Sequence, residues 1–295
     1  MLDAAYAAGV RYVDAARSYG RAEEFLASWL DDRGIAPGAL TVGSKWGYRY
    51  TGDWRMDAPV QESKDHSLAM FREQRAQTMA LLGAHLDLYQ VHSATFDSGI
   101  LENREVLEAL VELRADGVVV GLTVSGPHQA QVIERALDVD VDGTNPFSVV
   151  QATWNLLEPS AGPALATARE RGWGVIVKEA LANGRLAPRG AGDGAEAGPG
   201  ERAAFVPGDA EAGPVAAAAR VASRHGTPLS QLALTAAVEQ PWADVVLSGA
   251  ATPAQLEANL ACLDHALSGD DLGRLASLAE APDDYWSRRA ALPWR

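Results

Sequence analysis

The sequence predicts an α/β barrel, and three features carry that prediction. Short apolar runs alternate with longer amphipathic stretches along the whole chain, as in a parallel sheet built from βα units. Most of the runs are rich in Val, Leu, Ile and Tyr without strict alternation, which suits strands buried on both faces. Several of them close on a charged residue, and the carboxyl ends of barrel strands converge on one mouth.

The strand-like runs are residues 10–14, 40–45, 86–92, 118–124, 147–153, 174–178 and 244–248. Helical patterns fall between them at 23–30, 68–82, 105–114, 129–137, 164–171 and 214–224, outside the barrel. Residues 187–213 are crowded with Gly, Ala, Pro and acidic side chains, so a mobile loop on the active-site side is expected there. With no linker or repeat, residues 1–295 read as a single domain. A (β/α)8 TIM barrel closes with eight strands, whereas seven runs are present and a helical pattern begins at Met1. The first strand is therefore expected either upstream of Met1 or as a gap flanked by two strand edges.

Bulk composition narrows the function classes. A net charge of −14 opposes a phosphate backbone or an anionic membrane surface, so nucleic acid and membrane are not expected partners. The single cysteine, Cys262, allows neither an intrachain disulfide nor a cysteine metal cage, which points to the reducing cytoplasm. No secretory leader and no membrane-spanning apolar run is legible.

Four residues carry the chemistry. Asp14 closes GVRYVD, Lys45 closes LTVGSK, His92 closes LDLYQVH, and Tyr19 lies in the loop DAARSYG. Singly, each reads as a helix cap, a solvated charge or a histidine satisfying a carbonyl. Together at strand ends they make a proton-delivery unit. The Lys45 ammonium favours the phenolate of Tyr19, Asp14 fixes Lys45, and His92 hydrogen-bonds a carbonyl or shares the proton. In the following run GSKWGYRYTGDW, residues Trp46, Tyr48, Tyr50 and Trp54 are candidates for an aromatic substrate wall, and Trp154 for its far side.

These motifs, with GLTVSGP, VVQATWNLLEP, VIVKEALANGRL and SGAATPAQLEANL in the same order, resemble the aldo-keto reductases over nearly the whole chain. The resemblance implies a (β/α)8 barrel that reduces a small aldehyde or ketone with NADPH or NADH, Tyr19 being the proton donor. It implies a carboxamide contact at Gln151 and a loop over the pyrophosphate at Lys178, Leu181, Asn183 and Gly184. It implies an adenosine segment at Ser248, Gly249, Ala250, Gln255 and Asn259, with phosphate-binding amides around Thr252. The chain departs from the family in three places. Lys178 stands where many members place an aromatic ring under the nicotinamide. Thr123 and Val124 replace a Ser-Asn pair. Gly249 and Gln255 replace cations that hold a 2′-phosphate, leaving Arg185 and Arg189 as substitutes. NADPH is expected on the family's habit, and NADH gains from these changes. Two rival readings remain: a non-catalytic nicotinamide-nucleotide sensor on the same fold, and a Schiff-base lyase using Lys178 or Lys45. Oligomeric state is not legible.

Overall fold

The computed structural model describes residues 1–51, 62–187 and 213–292. The chain opens with α1 (Leu2–Ala7), β1 (Tyr12–Asp14), α2 (Ala22–Asp32) and β2 (Thr41–Trp46). A small antiparallel pair, β3 (Tyr48–Tyr50) and β4 (Glu62–Lys64), precedes α3 (Leu68–Leu82) and β5 (Leu86–Ala94). Then follow α4 (Arg104–Ala115), β6 (Val119–Val124), α5 (Gln129–Leu137), β7 (Val149–Thr153), α6 (Gly162–Glu170) and β8 (Gly174–Lys178). The last part comprises α7 (Pro214–Arg224), α8 (Leu229–Val238), β9 (Val245–Val246), α9 (Pro253–Leu260), α10 (Gly269–Ala276) and α11 (Pro282–Ala291).

Seven strands form one parallel sheet in the order β1-β2-β5-β6-β7-β8-β9, curled into a nearly closed barrel with helices outside. All seven match the predicted runs. Among the described residues no strand joins β9 to β1, so these short strands form the two edges. The expected loop at 187–213 lies almost wholly outside the described residues. The antiparallel pair was not anticipated, because Tyr48–Tyr50 reads equally well as an aromatic loop.

Alternation along each strand divides the polar and apolar side chains. Val42, Val91, Val120, Leu122, Val150, Val175 and Val177 face the helices, and all are fully buried. The opposite face of the same strands carries Gly43, Lys45, Gln90, Gly121, Gln151 and Lys178 into the barrel and its mouth. The buried carboxylate of Glu23 holds α2 in place, accepting hydrogen bonds from Ser44 Oγ (2.5 Å), Thr78 Oγ1 (2.9 Å) and Arg17. One helix, one strand and a second helix are thereby tied through a single charged group, whose hydrogen-bonding capacity offsets its desolvation.

Candidate active site

Asp14, Lys45 and Gln90 lie on three neighbouring strands with their polar ends converging. Lys45 Nζ donates to Asp14 Oδ2 at 2.5 Å and to the Ala15 carbonyl at 2.9 Å. The Asp14 carboxylate also accepts from the Tyr12 hydroxyl at 2.9 Å, from Gln90 Nε2 at 3.3 Å and from Gln151 Nε2 at 3.3 Å. Gly43 makes this cluster possible: a Cβ there would stand 2.5 Å from the Tyr12 hydroxyl oxygen, so any side chain would push the phenol off Asp14.

The loop after β1 is pinned to β2 by hydrogen bonds from Ala15 N to Gly43 O and from Arg17 N to Lys45 O. It carries Tyr19 over the lysine, with Lys45 Nζ 4.8 Å from the centre of the Tyr19 ring. His92 meets Tyr19 edge to face at a centroid distance of 5.6 Å and meets Tyr48 at 4.9 Å. All four predicted catalytic residues therefore come together, although they stem from three strands and a loop.

Aiming His92 takes an irregularity. Val91 pairs with Leu122 but Ala94 pairs with Val124, so β5 holds one extra residue opposite β6 around His92 and Ser93. Ser93 takes φ of 54°, held there because its N–H donates to Thr123 Oγ1 at 2.7 Å and its carbonyl accepts from Lys64 Nζ at 2.9 Å. His66 Nε2 lies 3.0 Å from the His92 carbonyl and completes the support. Gly47 (φ 109°) gives His66 its room, since a Cβ would fall within 2.5 Å of the imidazole.

The surroundings set the protonation states. Burial lowers the Lys45 pKa, but Asp14 and Tyr19 outweigh it, so the ammonium is held above its ordinary value. Burial, with help from Lys45 and Lys178, pushes His92 well below the usual imidazole range, so it is neutral at pH 7. Tyr19 is 48% exposed toward the mouth, yet packed protein surrounds the rest of it. That enclosure raises its pKa, and the opposing pull of Lys45 reverses only part of the shift. The expected acidifying effect of Lys45 is present but does not set the net direction, so the phenol stays protonated and available as a donor.

The other side of the mouth is built differently. Thr123 and Gln151 are buried at the ends of β6 and β7, with Gln151 turned onto Asp14. Lys178 Nζ donates to Thr153 Oγ1 at 2.9 Å and lies 3.8 Å from Glu179 Oε1. Burial lowers the Lys178 pKa to about 8, against the opposing pull of Glu179. Glu179, Ala182 and Asn183 all have φ near 50°, which coils the loop after β8 tightly through Leu181 and Gly184. The C-terminal helix α11 clamps that loop. Arg289 forms a forked ion pair with Glu179, at 2.9 Å and 3.0 Å from Nε and 2.5 Å from Nη2. Arg185 pairs with Glu280 at 2.7 Å, and Asn155 bridges the Glu179 carbonyl and the Tyr285 hydroxyl at 3.0 Å each.

Beyond β9, Asn259 Nδ2 donates to Ser248 Oγ (2.9 Å) and to the Ser248 carbonyl (3.1 Å), shaping the turn through Gly249 and Ala250. Thr252 caps α9, while Gln255 Oε1 accepts from the backbone N–H groups of Ala251 (2.9 Å) and Thr252 (3.2 Å). The amides expected around Thr252 to receive a phosphate are thus already engaged by Gln255, a reciprocal capping box.

Two expected wall residues face elsewhere. Strand alternation that points Lys45 into the mouth turns Trp46 to the helix layer, where it is fully buried against Phe71 at a 5.0 Å centroid distance. Trp154 packs edge-on against Trp242 at 5.8 Å and is likewise core. Tyr48 does reach His92. Trp54 and Arg189 lie outside the described residues, and Arg185 is committed to Glu280. Sequence reading missed Tyr12 and Gln90, each two residues before a named site residue on the same strand face, so the period of two was the available signal. It also missed Arg289, which lies 110 positions from Glu179 with no local signal.

A model of the aldo/keto reductase family matches residues 1–280. Norsolorinic acid reductase of Aspergillus flavus is 28% identical over 159 residues, 52% of this chain and 39% of that protein. The NADP(+) aryl-alcohol dehydrogenase of Phanerodontia chrysosporium is 28% identical over 162 residues, 53% of this chain and 41% of that protein. The matches thus span well under half the length of these relatives. Among solved structures, an aldo-keto reductase from Bacillus halodurans in its holo form superposes with a TM-score of 0.70, at 22% identity, covering 95% of this chain and 86% of the other. The glycerol dehydrogenase of Gluconobacter oxydans superposes at 0.69, with 20% identity, covering 100% and 86%. At such identities the superpositions speak for the fold alone.

Proposed function

We propose, from the premise that this chain belongs to the aldo/keto reductase family, that it transfers a hydride between NAD(P)H and a small aldehyde or ketone. The observation that carries the proposal is the Lys45 ammonium, fixed on Asp14 at 2.5 Å and lying 4.8 Å from the Tyr19 ring centre beside a neutral His92.

The residues lining β6 to β9 fit a nicotinamide nucleotide. Thr123, Gln151, Ser248 and Asn259 present hydroxyls and amides at successive strand ends and in the turn beyond β9, and Gly249 leaves open space where a Cβ would stand. Thr123 and Gln151 would hold the carboxamide, Leu181, Asn183 and Gly184 the pyrophosphate, and Ser248, Gly249, Ala250 and Asn259 the adenosine half, with Thr252 and Gln255 shaping the turn beside it. When bound, the nucleotide supplies the hydride and takes it back in the reverse direction.

The chain's own part is proton management. Tyr19, protonated at neutral pH, donates to the carbonyl oxygen as negative charge develops there. The Lys45 ammonium stabilises the phenolate left behind, and Asp14 keeps the ammonium charged and in place. Neutral His92 donates a hydrogen bond to the same oxygen, and the Tyr48 ring packs edge to face against it at 4.9 Å. Lys178, where many relatives carry an aromatic ring, would leave the nicotinamide without a stacking partner. Gly249 and Gln255 stand where many relatives carry cations for a 2′-phosphate, and NADPH is favoured over NADH on the habit of the family. The lone cysteine argues for a reducing cytoplasm. Among the described residues no helix is long and apolar enough to cross a membrane.

Reduction of an aromatic aldehyde, followed by NADPH and NADH absorbance, tests the proposal. Turnover that disappears in Tyr19→Phe is the expected result. If the nucleotides bind and no carbonyl is reduced, the sensor reading replaces it.

A further inference from the structure

Only three lysines occur in 295 residues, at 45, 64 and 178. All three point to the mouth, and they differ in state. Lys45 is ion-paired with Asp14 and held protonated. Lys64 is exposed and bound to the Ser93 carbonyl, and partial burial lowers its pKa below the ordinary lysine value. Lys178 is held differently: its side chain keeps 16% of its surface open, and among the described residues its carboxylate partner, Glu179, stands off at 3.8 Å. The proton-delivery chemistry does not use it.

We infer that Lys178 is a covalent capture site for small aldehydes, binding them as a reversible imine through its ε-amine. The geometry is that of a positioned nucleophile. Thr153 Oγ1 fixes Nζ at 2.9 Å, and the paired register of Thr153 and Lys178 at the ends of β7 and β8 sets both toward the mouth. Glu179 cannot close on the amine as a tight partner, because Arg289 holds its carboxylate in a fork and Asn183 Nδ2 donates to it at 3.1 Å. The charged groups that act on Nζ are Glu179 on its own loop, Arg289 from α11 and Lys45 from β2, and the Trp286 ring lies 5.9 Å away. Two cations and burial against one diverted carboxylate leave the pKa at about 8 rather than 10.5. The neutral, nucleophilic fraction at pH 7 is therefore larger than for a solvent-exposed lysine, by on the order of 10²-fold.

The reaction balances without an oxidant or reductant. The neutral amine adds to the carbonyl carbon, forming a C–N bond and a carbinolamine. The C–O bond then breaks, and both amine hydrogens leave with the oxygen as water. Hydrolysis reverses each step, so the capture is reversible.

The test uses benzaldehyde with sodium cyanoborohydride at about pH 7.5, with no nucleotide present, so its outcome is independent of hydride transfer by the protein. Peptide mass mapping reads the benzylated residues. Lys178 is expected to be labelled at least about tenfold faster than Lys45 or Lys64 at that pH. Lys178→Arg, which keeps the charge, is expected to lose that label while retaining the wild-type melting temperature. Labelling of Lys178 no faster than Lys64 in the folded protein, or none at all, overturns the inference. Should Lys178→Arg misfold, the rate ratio within the wild-type protein decides alone.

Discussion

Two halves of one mouth face each other and are held by contacts of different range. Where β1, β2 and β5 end, Asp14 gathers Lys45, Tyr12, Gln90 and Gln151 within 3.3 Å, and the loop carrying Tyr19 is pinned to the neighbouring strand. Where β7, β8 and β9 end, Lys178 is loosely partnered, the loop after it is clamped by Arg289 and Glu280 from the last part of the chain, and Gln255 occupies the amides at the start of α9. The first half is held by short-range contacts that converge on one carboxylate and is preorganised. In the second, order depends on a distant helix and one cation is left available, so substitutions there should trade stability against ligand binding.

The comparison breaks most sharply at Tyr19. Tyr19→Phe is expected to lower kcat/KM for carbonyl reduction by about 10²–10⁴ with an unchanged melting temperature, because the hydroxyl works at a half-exposed ring. Comparable turnover by the variant would place the donor elsewhere. Next comes Lys45→Met, which leaves the Asp14 carboxylate buried without its cation. It is expected to cost about 3–5 kcal/mol in urea unfolding as well as activity.

In the opposite half, Arg289→Ala should cost about 2 kcal/mol while leaving the Asp14 cluster intact. Its signature is pH dependence. Glu179 has a folded pKa of about 2 against an ordinary 4.5, so its stabilisation is fully present above about pH 4.5 and drains away as the pH falls toward 2. Chemical denaturation across that window should show a shallower acid loss in the variant than in wild type. The smallest effect is expected for Gln255→Ala. Loss of the capping box should cost about 1 kcal/mol and speed amide exchange at Ala251 and Thr252, leaving the proton-delivery half untouched.

Legibility in the sequence follows the same division. The strands were readable because both-face burial demands unbroken Val, Leu and Ile runs, and Asp14, Lys45 and His92 were readable because each closes one. Trp46 and Trp154 were misassigned for want of strand phase: a residue next to Lys45 must face the other way, which adjacency in the sequence conceals. Tyr12 and Gln90 were recoverable by counting back two. Arg289 was not, since nothing local in PDDYWSRRAA distinguishes a solvent-facing arginine from one that crosses to β8.

The sequence by itself determined the alternation of elements, the residue types at the strand ends and the family, because these rest on local periodicity and short motifs. Only the tertiary structure decided how they act. Burial and the balance of neighbouring charges leave Tyr19 protonated, His92 neutral and Lys178 near pKa 8, and those are sums over groups brought together from across the chain.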